Sequence, residues 1–184
     1  MKNHFKIIPI TNANRLINHG PTVLITSRRG DKINVMTAAW QMPVSFKPVL
    51  VAVSIGQERF SHELILQSRE FVINIPHIGM LKGIMCCGTQ SGREIDKFKV
   101  CKLTPVKSQK VKAPLIEECL GNIECKLYSI HEAGDHTIFI GEVVAASVKE
   151  GIFDNYLKVD LDQAKTLHHL GGKVFCKPDG IDSI

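Results

Sequence analysis

Four short stretches of this sequence hold the side chains whose types and spacing could do chemistry. The first is NVMTAAW, residues 34–40, which carries Thr37, Ala38 and Ala39 where a core strand would carry bulky branched residues and ends at the only tryptophan. In an extended chain Asn34, Met36, Ala38 and Trp40 share one face, and Val35, Thr37 and Ala39 the other. Small side chains then flank the strand's end on both sides. Such a surface lets a planar ligand approach the backbone, with Trp40 as an aromatic neighbour; it equally suits tight packing of another strand on Ala38 and Ala39. The second stretch is VSIGQERFSHEL, residues 53–64. A strand ends near Ile55, and a helix is expected from Ser61, with Ser61 as N-cap and Phe60 stapled to Ile65. Free N–H donors, the Ser61 hydroxyl and the Arg59 guanidinium would converge there on an anion such as a phosphate. Glu63, in the first turn, opposes a dianion unless it points away, and an ordinary capped helix with a solvated Arg59 is the alternative.

The third stretch, CGTQSGREIDKF at 87–98, reads as a turn into a short helix presenting Asp96 and Lys97, by itself a solvated charged face. The fourth, GDHTIFIGEV at 134–143, places His136 directly after a turn, where a lone histidine is commonly structural or exposed.

The elements that must position these residues are mostly strands. Runs at 22–27, 33–40, 49–55 and 71–75 are rich in Val, Ile and Thr and bounded by turn residues. Arg28 to Asp31 supplies a hairpin turn between the first two, and two longer runs, 122–132 and 136–148, form another hairpin at Gly134. About six strands, mostly antiparallel, predict a closed barrel. Helical pieces are expected at 61–68, at 77–88 and at 93–98. No repeat or linker divides the chain, so residues 1–184 are read as a single domain.

Composition narrows the function classes. The chain has 184 residues, a formal net charge of +5 and no basic block longer than Arg28-Arg29, which argues against a nucleic-acid surface. No apolar run approaches the roughly 20 residues of a membrane helix, and no signal peptide is evident; a soluble, cytoplasmic protein is expected. The six cysteines show no CxxC or metal-ligand spacing, so no metal site is expected and reduced thiols are the default, with Cys86-Cys87 as buried small hydrophobes.

Taken in order, NVMTAAW, PVLVAVSI, FSHELI, EFVINIP, CGTQSGREIDKF, GDHTIFIGEVV and LHHLGG resemble the flavin reductase-like, FMN-binding split-barrel family, in particular its flavoredoxin branch, over about residues 21–176. The resemblance implies a mainly β fold: a six-stranded antiparallel split barrel of Greek-key character with added helices, assembled as a homodimer and holding one non-covalent FMN per subunit. It places Asn34, Thr37 and Trp40, with the neighbouring Ala38 and Ala39, near the flavin. Ser54, Arg59, Phe60 and Ser61 fall in the segment reaching the ribityl chain and phosphate. Lys97 and His136 would be further contacts that tune the flavin, and His169 lies in a segment that covers the site. Phe175 follows the two glycines where many members have Tyr. The implied function is oxidoreduction from NAD(P)H through FMN to a small acceptor; the alternative is electron transfer with a redox-protein partner and no direct NAD(P)H oxidation.

Overall fold

A computed structural model describes residues 6–182. After a 3-10 turn at Ile10–Leu16, the chain forms β1 (Val23–Arg29), β2 (Lys32–Ala38), β3 (Gln41–Phe46) and β4 (Val49–Gly56), then helix α1 (Phe60–Ser68) and β5 (Glu70–Ile75). Helices α2 (Leu81–Thr89) and α3 (Lys97–Val100) follow, then the two-residue strands β6 (Pro105–Val106) and β7 (Leu115–Ile116). The long hairpin β8 (Gly121–Ala133) and β9 (His136–Val148) comes next, and β10 (His168–Gly171) and β11 (Val174–Cys176) close the order.

Seven strands make one antiparallel sheet in the order β2-β1-β5-β8-β9-β4-β3. Both expected hairpins form. Arg29 pairs with Lys32 and Ala133 with His136, and each two-residue turn uses a glycine at positive φ, Gly30 at 56° and Gly134 at 65°. The end strands β2 and β3 are consecutive in the chain, and the Ser54 N–H donates to Trp40 O across 2.9 Å, tying β4 to the β2–β3 corner. The sheet thereby rolls up as a split barrel.

Alternation along the strands sorts side chains into two cores. Val23, Ile25, Ala38, Val53, Ile55, Phe71, Ile73 and Phe139 fill the barrel, where Ile65 of α1 joins them. Leu24 and Val35 point the other way and pack with Met80, Ile84, Cys87 and Phe98 of the helical layer. A strand covered on both faces reads as a continuous apolar run, which is why Val23–Ile25 shows no alternation.

Three expectations need correction. The six strands read from sequence are present, but the main sheet has a seventh, β3, which carries Pro43 on a sheet edge with a bulge between Pro43 and Ser45. Arg59, not Ser61, is the N-cap of α1 and makes no side-chain capping bond. The thiols are not all reduced, because Cys86 on α2 is bonded to Cys101 just past α3; only its neighbour Cys87 is the buried free thiol expected. The pair forms because the segment between them folds back and brings the end of α3 to α2, which spacing alone does not reveal. Among the described residues no helix is long and apolar enough to cross a membrane.

Candidate functional site

A cavity of about 620 Å³ opens where β2 and β4 meet the start of α1, the α2–α3 segment, the N-terminal 3-10 turn and the β10–β11 hairpin. Every candidate residue named from the sequence lines it: Asn34, Thr37, Ala38, Ala39, Trp40, Ser54, Arg59, Phe60, Ser61, Lys97, His136 and His169.

The strand wall resolves the two readings of NVMTAAW by assigning them to different residues. Thr37 Oγ1 donates to Ile84 O at 2.6 Å, and a Cβ on Gly88 would stand 3.4 Å from Thr37 Cβ, so α2 packs directly on β2 there. Ala38 turns into the barrel core, while Ala39 and Trp40 remain on the cavity.

At the start of α1, Ser61 is buried and its Oγ accepts from Asn34 Nδ2 at 2.8 Å, which ties helix to strand and leaves the hydroxyl proton to donate elsewhere. Asn34 Oδ1 is buried without a partner among the described residues, and a Cβ on Gly92 would collide with it. A buried acceptor lacking a donor is costly unless a ligand supplies one. Lys97 was expected to be solvated; it is 6% exposed, and its Nζ donates to Cys87 O at 2.7 Å. One carbonyl uses one of three ammonium donors, and burial pulls its pKa below the ordinary lysine value, partly offset by the Cys87 thiol and reinforced by Arg59. Glu63 reaches away to Arg93 at 3.1 Å, and the Arg93 guanidinium lies 4.9 Å from the Phe60 ring centroid, which removes the objection that Glu63 would repel an anion. Arg59 is not free: Glu58, which also lines the cavity, holds its Nε at 2.8 Å in a solvent-exposed pair.

At the other end, the Trp40 and His136 rings lie 4.9 Å apart. His136 Nδ1 is 2.7 Å from Asp135 Oδ1, a hydrogen bond that holds the Asp135 carboxyl below its ordinary range. Sequence reasoning missed the contribution from before residue 21. Asn14 and Arg15 line the cavity, and the buried Asn18 carboxamide is placed to donate to Ala39 O (3.1 Å) and accept from Trp40 Nε1 (2.9 Å). Nothing local marks these residues, because their partners lie more than twenty positions away. Opposite them, His169 Nε2 lies 3.1 Å from Gly172 O and its ring 5.1 Å from Phe175.

The model of the flavin reductase like domain matches residues 15–171, which spans the strand wall, the α2–α3 segment and the first strand of the closing hairpin. The chain belongs to this family. An uncharacterized protein, YddH of Escherichia coli (strain K12), is 39% identical over 178 residues, covering 92% of this chain and 94% of its own. The FMN-binding protein from Thermus thermophilus, solved with bound p-hydroxybenzaldehyde, superposes with a TM-score of 0.84 at 26% identity over 100% of this chain and 99% of that one. Flavoredoxin of Desulfovibrio vulgaris (Miyazaki F) superposes with a TM-score of 0.82 at 25% identity over 100% and 97%.

Proposed function

We propose that this flavin reductase-like chain binds FMN non-covalently in the cavity and moves electrons through it from a reduced nicotinamide dinucleotide to a small acceptor. The observation that carries the reading is the set Asn34, Ser61 and Lys97: an orphaned buried acceptor, a free hydroxyl proton and a buried ammonium with unused donors, all lining one cavity. A polyol phosphate matches that set, with a ribityl hydroxyl donating to Asn34 Oδ1 and the phosphate accepting from Ser61 and Lys97. The bound FMN supplies the redox chemistry.

The chain's residues bind, orient and hold charge. Ser61 can give its proton to the phosphate while still accepting from Asn34, so binding leaves the tie between α1 and β2 intact. Lys97 supplies a cation already stripped of water, where charge interactions are stronger than in bulk. Ala39 and Trp40 leave room for a flat ring against the backbone. The Asp135 carboxylate accepts from His136 Nδ1, which orients the ring, and Nε2, with no hydrogen-bond partner among the described residues, is available to a ring heteroatom. The small-acceptor reading is supported by the Thermus thermophilus relative, whose structure holds p-hydroxybenzaldehyde. Likeness to flavoredoxin supports a second reading, electron transfer to a protein partner. Anaerobic addition of NADH or NADPH to the FMN-loaded protein separates the two: rapid bleaching of the yellow colour is expected, and a flavin that stays oxidised would favour the protein partner.

The reading includes a homodimer. On the edge strand β3, Met42, Val44 and Phe46 are exposed, Phe46 at 93%, with Val49 beside them and Trp40 at the cavity end. A contiguous apolar strip on an edge strand suits burial against a second copy. Phe46→Asp is expected to shift the elution mass from two chains to one.

A further inference from the structure

Fifteen positions separate Cys86 from Cys101, and their disulfide closes the segment that forms the helical wall of the cavity. Gly88, Gln90, Gly92 and Lys97 all lie within that closed loop and all line the site. Beyond the packing of Gly88 on Thr37 and of Gly92 on Asn34, few ties hold its middle. Arg93 and Glu63 form an ion pair with both side chains more than two-fifths exposed, the kind that contributes little. Thr37 anchors α2 upstream of the loop, at Ile84. Phe98 and Cys101 anchor its far end in the helical core. Lys97 pulls the other way, because an ammonium held out of water gains by escaping to it.

We infer that the Cys86–Cys101 bond is a redox-operated clasp: closed, it holds Lys97 and the 88–92 turn against the strand wall and retains the flavin; opened by an external dithiol, it lets them loosen and the flavin leave. The inference rests on flavin binding as proposed above. Cys86 is half-buried and Cys101 buried, so attack falls on Cys86. A thiolate of the reductant bonds to Cys86 Sγ, the S–S bond breaks, and Cys101 leaves as a thiolate that takes up a proton. The reductant's second thiol gives up its proton and closes on the first sulfur, expelling Cys86, which is protonated in turn. The clasp gains two electrons and two protons, and the dithiol becomes a disulfide. Cys87 does not compete: burial pushes its thiol pKa up to about 11, so it stays protonated beside the bond.

The clasp acts on affinity by preorganisation, since a wall already fixed loses less freedom when the ligand binds. The test uses full-length FMN-loaded protein with and without dithiothreitol, thiols being counted by mass spectrometry and flavin release followed by its fluorescence. The dissociation rate should rise roughly tenfold on reduction. Cys86→Ser and Cys101→Ser should release FMN at the reduced rate without dithiothreitol and ignore it, while Cys176→Ser, an exposed thiol outside the loop, should respond like the parent. Tryptic cleavage after Arg93 in the flavin-free protein gives a second readout and should accelerate on reduction. Equal release and equal cleavage in both thiol states would overturn the clasp, as would six free thiols in protein handled without reductant. Faster cleavage on reduction in a chain that takes up no FMN would sink the flavin reading and leave the clasp standing.

Discussion

The two long walls of the cavity are built on different principles. The strand wall, β2 and β4, is part of the barrel: β4 is held by ladder bonds to β3 and β9 and β2 by its ladder to β1, and the inward side chains are core residues. The helical wall, residues 86–101, rests on a short helix, a turn, one buried lysine and one disulfide. Change to the strand wall should therefore cost the fold, and change to the helical wall should cost the ligand. Cores tolerate little added volume, whereas a wall outside the barrel can give way locally.

The largest effect expected on the fold side is at Gly141, where a Cβ would stand 2.6 Å from Phe71 Cζ and 2.8 Å from Cys125 Cβ. Gly141→Ala should destabilise by about 3 kcal/mol, read as a lower denaturant midpoint, with FMN affinity per folded molecule unchanged. Ser61→Ala, at the seam between the walls, should weaken FMN about tenfold to a hundredfold and riboflavin far less; equal losses for both would remove the phosphate from Ser61. Lys97→Met should weaken FMN about tenfold while leaving the flavin-free protein as stable or more stable, because an underpaired buried charge is lost.

The sign of the pH dependence follows. With its pKa lowered on folding, Lys97 binds fewer protons in the native chain than in the unfolded one between the depressed value and about 10.5. Its penalty is full below that window and fades as pH rises through it, a slope that Lys97→Met should abolish. The smallest effect is expected at His62, which lies outside the cavity with Nε2 2.8 Å from Thr137 Oγ1 and its ring edge-on to Phe139. Burial lowers its pKa from 6.5, so stability should slip as pH falls through that value, and His62→Gln should flatten the slope without touching FMN affinity.

The same contrast explains what was legible in the sequence. Strand-wall residues follow from period-two alternation and turn chemistry, so Asn34 to Trp40 and the Gly30 and Gly134 hairpins could be placed from local pattern. The ordered motifs then located Lys97, His136 and His169 by family resemblance. Local pattern gave Lys97 the wrong environment, because its burial comes from its segment folding back on α2, where Nζ meets Cys87 O. It also mistook Ser61 for a cap, since the hydroxyl's partner is Asn34, 27 positions back. Arg15 and Asn18 carried no signal, as their roles exist only once the chain's ends meet at the corner.

The most direct test of the account is a titration of flavin-free protein with FMN, followed by the emission of Trp40, the only tryptophan in the chain and a residue of the cavity itself. Saturable quenching at one FMN per chain is the expected result. Folded protein whose tryptophan emission is indifferent to micromolar FMN would contradict it.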